Sequence, residues 1–146
     1  MLILLLIIFT VPTFSQAADI HLSCEDVDWI EVSKTPPGLA MPMEGVRGSC
    51  NGKDCLLLTL HLTSKGGASF YRQAFNFDGQ TPNIRIGKEL IMFGVPLSSA
   101  SLVPIEFYSR IGDWSAFSDT KEAIARAFAI CSEKSVKYTG VIGEKN

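Results

Sequence analysis

Cys55-Leu56-Leu57-Leu58-Thr59-Leu60-His61-Leu62-Thr63 is the stretch on which the fold turns. Leu56, Leu58, Leu60 and Leu62 lie on one side of an extended backbone and Leu57, Thr59, His61 and Thr63 on the other, so it predicts a strand with four leucines turned to a core. Downstream, Ser64-Lys65-Gly66-Gly67 reads as a turn. Ala68 to Phe77 reads as the return strand of a hairpin, with Tyr71, Gln73, Phe75 and Phe77 opposite Phe70, Arg72, Ala74 and Asn76. After the break at Asp78-Gly79-Gln80-Thr81-Pro82 come Ile84 to Ile86, a tight turn at Gly87-Lys88, the apolar run Leu90 to Val95, and an alternating strand through Val103, Ile105 and Phe107.

Upstream, Ile30 and Val32 alternate with Trp29, Glu31 and Ser33, which predicts a first strand that Thr35-Pro36-Pro37-Gly38 ends. Leu39 to Gly48, with Pro42, Gly45 and Gly48, reads as an irregular edge leading to Cys50. One strong helix is expected late in the chain. Asp119 is a good N-cap with Glu122 three positions on, and Ile124, Ala127, Phe128 and Cys131 follow the spacing of a buried helical face, with Glu122 and Arg126 paired outside. The tail after Lys134 reads either as a short last strand through Val136 and Tyr138 or as disordered. The expected fold is mainly β (α+β): an antiparallel sheet or sandwich of about six to seven strands with one C-terminal helix and two disulfides.

The first seventeen residues carry no charged side chain and run from Leu2-Ile3-Leu4-Leu5-Leu6-Ile7-Ile8-Phe9 to Ser15-Gln16-Ala17. Residues 1–17 therefore read as a signal peptide and residues 18–146 as a single disulfide-bonded domain. The apolar core is shorter than the roughly 20 residues a permanent span needs, so no membrane insertion is expected after cleavage. A lipid-attachment reading of Leu22-Ser23-Cys24 is disfavoured by His21 and by its distance from the apolar core. The expected location is periplasmic or secreted. A net charge of −2, with both signs interspersed, offers no positive field for nucleic acid.

Four cysteines, Cys24, Cys50, Cys55 and Cys131, make two disulfides the default in an exported chain. Three connectivities are open. The short spacing makes Cys50 with Cys55 the natural local bridge, which leaves Cys24 with Cys131. The spacings lack the paired pattern of a zinc ribbon, and Glu25, Asp26, Asp28 and Glu31 lack the glycine-bent loop that converges carboxylates on calcium, so no metal and no cofactor is expected. His21, beside the cleavage site, and His61, on the outer side of its strand, have no nucleophile and orienting group in the sequence pattern. No catalytic residue is assigned, and the chain is not read as an enzyme. Trp114 and Phe117 are expected to pack on the first helical turn.

Cys50-Asn51-Gly52-Lys53-Asp54-Cys55 is the segment singled out for function. Asn-Gly favours tight turns, and flanking oxidised cysteines hold Asn51, Gly52, Lys53 and Asp54 in a rigid protruding loop that loses little entropy on binding. Lys53 suits a cleft lined with carboxylates, such as that of a glycoside hydrolase. In its two cysteines four residues apart and the Asp before the second, the loop resembles the inhibitory loop of the Ivy-type lysozyme inhibitors of Gram-negative periplasms, with Lys53 where that loop places a histidine. The resemblance implies a periplasmic protein that plugs a lysozyme active site. Immunity proteins that neutralise cell-wall-degrading toxins are a neighbouring expectation, and the partner expected in either case is another protein of the cell envelope. The alternative is a cell-envelope structural or small-ligand-binding domain whose bridges only stabilise it.

Overall fold

The computed structural model describes residues 19–34, 55–77, 79–92 and 108–141. The leucine-rich stretch is the strand β3, Leu56–Leu62, with all four expected leucines buried. On one side it pairs antiparallel with β2, Val27–Lys34, setting Ile30 opposite Leu60 and Val32 opposite Leu58. On its other side runs β6, Arg110–Phe117, and outside β2 lies β7, Ser135–Val141. The sheet order is β6-β3-β2-β7. A second sheet has the order β1-β4-β5, from Asp19–Leu22, Asn83–Ile86 and Glu89–Met92.

The fold is therefore mixed α+β with seven described strands in two sheets and two helices, in place of one antiparallel sheet or sandwich with a single C-terminal helix. Two pairings are parallel, β1 with β4 and β2 with β7. The hairpin β4-β5 turns at Gly87-Lys88 as expected, Gly87 taking φ of 57°. The expected strand through Val103, Ile105 and Phe107 lies outside the described residues.

The return strand expected after β3 is a helix, α1, Ser64–Asn76. The Thr63 hydroxyl caps it by accepting from Gly66 N at 2.9 Å. Gly66 and Gly67 form no hairpin turn. A Cβ on Gly66 would fall inside the Asp26 carbonyl, and one on Gly67 would sit 3.1 Å from the Tyr108 carbonyl oxygen, so the glycines admit two backbones to the first turn. Gly66, Gly67, Phe70 and Ala74 form the buried face, a helical spacing that outweighs the alternation of Tyr71, Gln73, Phe75 and Phe77. Phe70 and Tyr71 meet Tyr108 edge-on at ring separations of 5.1 and 5.2 Å.

The second helix, α2, Thr120–Cys131, starts as expected at Asp119, whose carboxylate accepts from Lys121 N. Its buried face is Ala123, Ala127, Ile130 and Cys131; Ile124 and Phe128, expected inside, are 37% and 50% exposed. Two tethers set this rotation. Cys131 is bridged to Cys24, as expected, across 107 residues, a closure worth roughly 4 to 5 kcal/mol in the chain-entropy model. Arg126, expected to pair with Glu122, instead binds Asp113 of β6 at 2.8 Å, Glu89 of β5 at 2.5 Å and the Leu90 carbonyl at 2.6 Å, joining the two sheets. Burial works against its charge, but Asp113 and Glu89 outweigh burial and raise its pKa. One contiguous core runs beneath both helices, from Ile20 and Ile84 to Leu58 and Ile130.

Candidate functional site

Two surfaces of the four-stranded sheet bring side chains together. The first is its outer face, opposite the leucines. Trp29 and His61 stack in parallel with centroids 3.7 Å apart, and Lys137 Nζ lies 4.6 Å from the Trp29 ring centroid. His61 Nε2 is 2.6 Å from Glu31 Oε2, and the Thr139 hydroxyl donates to Glu31 Oε1. Burial pushes the Glu31 carboxyl up, while the hydrogen bonds from Thr139 and His61 and the positive charge of His61 and Arg110 outweigh it and leave the pKa lowered. An ionised Glu31 accepts at both oxygens, so the Nε2 proton is donated to it. The imidazole thus has one face on indole and one nitrogen on a carboxylate. These groups satisfy one another, and the layer ties β3, β2 and β7 together across the sheet.

The second surface is a groove of about 430 Å³ on the helix-bearing side, between α2 and β7. Val32 is at its floor, Ile124 and Phe128 come from the helix, Val136 and Tyr138 from the strand, and Lys134 is its charged member. The arrangement follows from the helix rotation. At 100° per residue, Arg126 and the pair Ile124 and Phe128 fall on opposite flanks of the buried arc. Arg126 draws its flank toward β5 and β6, so the other flank overhangs β7. Tyr138, 59% exposed, faces it from the strand. Large apolar side chains gathered in a concave strip of open surface mark a binding site far more often than the same residues scattered singly do.

The residues singled out from the sequence are distributed otherwise. Cys50 and the loop Asn51, Gly52, Lys53, Asp54 lie outside the described residues, as does the segment 1–17 that reads as a signal peptide. Cys55, where that loop meets β3, is disulfide-bonded. His21 belongs to β1. The acidic group is dispersed: Asp26 accepts from Ser23 N at 2.8 Å in the 3-10 turn Cys24–Asp26, and Glu31 belongs to the outer-face network. Among the described residues no three His, Cys, Asp or Glu side chains converge as a metal site, and no helix is long and apolar enough to cross a membrane. Trp114 and Phe117 both belong to β6, where Trp114 is half-buried and Phe117 packs against the core. Sequence reading missed the groove, whose signal was a helix with more apolar residues than one buried face holds: Ala123, Ile124, Ala127, Phe128, Ile130 and Cys131. No protein-family model, curated protein or solved structure matches the chain.

Proposed function

We propose that the chain is an exported, disulfide-closed binding domain whose partner is another protein of the cell envelope, and that the partner docks in the groove between α2 and β7. The observation that carries this reading is the convergence of Ile124, Phe128 and Tyr138, each more than a third exposed, beside an outer strand. The apolar leader and the oxidised cysteines support export. The test is retention of envelope proteins by the oxidised chain beside two variants, Phe128→Asp in the groove and Phe75→Asp on α1, whose side chain is 52% exposed and outside the groove. A partner released by the first and kept by the second supports the reading; equal retention by both ends it.

A finer second reading keeps the loop as the active element: Asn51 to Asp54 entering the cleft of a cell-wall hydrolase, with Lys53 as the main electrostatic contact. The disulfide at Cys55 favours it, because it braces the point where the loop joins β3. Lys53→Ala with Asp54→Ala should then abolish inhibition in a cell-wall hydrolysis assay, and an unchanged inhibition curve removes the loop from the mechanism.

A further inference from the structure

We infer that the groove takes an extended peptide that adds a fifth strand along β7, with apolar side chains at alternate positions and a carboxylate beside Lys134. The inference rests on the docking reading above and deepens it. Its first support is the backbone edge itself. At β1, an outer strand of the other sheet, Gln73 of α1 covers His21, its Oε1 accepting from His21 N at 2.9 Å and its Nε2 donating to His21 O at 2.8 Å. β7 pairs with β2 on one side, and among the described residues no side chain occupies the backbone groups of its other side. Lys137, the charge that ordinarily blocks such an edge, is folded over Trp29 on the outer face.

The second support is alternation. An added strand turns every other side chain to the helix-bearing side, where Tyr138 and Val136 already project and where Phe128 and Ile124 overhang. β7 offers seven residues, a length of roughly 23 Å at the usual rise per residue. The third is charge. Lys134 lines the groove just before β7 begins and has no ion-pair partner among the described residues, so a carboxylate is the complementary group. A second copy of β7 does not supply one, since Ser-Val-Lys-Tyr-Thr-Gly-Val contains no acid. A compact apolar ligand would leave the strand edge unpaired.

The experiment titrates the oxidised chain with synthetic heptapeptides of alternating valine and serine, with aspartate at the first or last position, followed by calorimetry and by amide shifts of β7 and α2. One of the two peptides should bind with shifts confined to those elements. N-methylation of one set of alternate amides in that peptide should weaken binding about tenfold or more, and of the other set far less, because only one set faces β7. Exchange of its aspartate for asparagine should cost about two- to fivefold, a difference that Lys134→Gln erases. Phe128→Asp should abolish binding, with Phe75→Asp as the matched control. Absence of binding by both peptides, or equal affinity of both N-methylated forms and the parent, overturns strand addition. If Phe128→Asp still releases the envelope partner in that case, docking in the groove stands; if it does not, docking falls as well.

Discussion

β1 and β7 are both outer strands, and the chain treats their bare backbone in opposite ways. Gln73 reaches from α1 to bond both polar groups of His21, so β1 is closed by its own fold. β7 is longer, lies under the overhanging flank of α2, and carries no such cover among the described residues. α2 repeats the contrast. Its Arg126 flank is bound to β5 and β6 through three hydrogen bonds, while its Ile124 and Phe128 flank is left to solvent. Gln73 covers one residue of β1 in this way, and β7 has no such side chain among the described residues, which makes its uncovered side a candidate for use.

The largest effect should come from breaking the anchored flank. Arg126→Leu strands the buried Asp113 carboxylate without its cation, and a loss of about 3 to 5 kcal/mol is expected by urea denaturation. A cost under about 1 kcal/mol would mean that the rotation of α2 is set by the disulfide alone. Next, Gln73→Ala should uncover β1 at a cost of about 1 to 2 kcal/mol and speed deuterium exchange at the His21 amide selectively. If that amide stays protected, Gln73 is not what closes β1, and the two edges do not differ in this respect.

Acid tests whether the edges differ in charge as well. Burial raises the Asp19 carboxyl, but Arg85 and Asn83 outweigh it, so its pKa, like that of Glu31, is lowered on folding. A lowered pKa gives stability that is full above the unfolded carboxylate range and is lost as pH falls through the lower folded value. Glu31→Gln should therefore cost up to about 1 kcal/mol at neutral pH and progressively less on acidification, measured as melting temperature against pH. Asp19→Asn should behave alike, so acid weakens both sheets. The smallest effect belongs to the open flank: Phe128→Asp should change stability by no more than about 0.5 kcal/mol, since half of the side chain is already in water. A larger loss would make Phe128 part of the core and remove the groove as a site.

Elements with strong local signals were legible in the sequence: β2, β3, the β4-β5 hairpin and the start of α2; the last strand was one of two readings of the tail, and the bridge from Cys24 to Cys131 followed from the spacing of the other two cysteines. Residues 68–77 were misread because period 2 and period 3.6 overlap there, and the deciding facts are long-range, namely the Asp26 and Tyr108 backbones against Gly66 and Gly67. The parallel pairings leave no local trace either. The groove was hidden for the same reason. Ile124 and Phe128 fit a buried helical face as well as Ala123 and Ile130 do, and only Asp113 and Glu89, distant in sequence, decide which way the helix rolls.

The bridge between Cys24 and Cys131 also shortens the distance along the covalent chain between two strands. Cys24 lies three residues before β2 and Cys131 four before β7. Once these thiols are joined, the two strands meet across a linkage about as short as a hairpin loop, although the chain between them is about a hundred residues long. Parallel pairing, ordinarily the slow search in such a topology, becomes a local closure after oxidation. The strand that borders the groove is thereby held covalently near one end, so its return after any opening is a closure over a few residues.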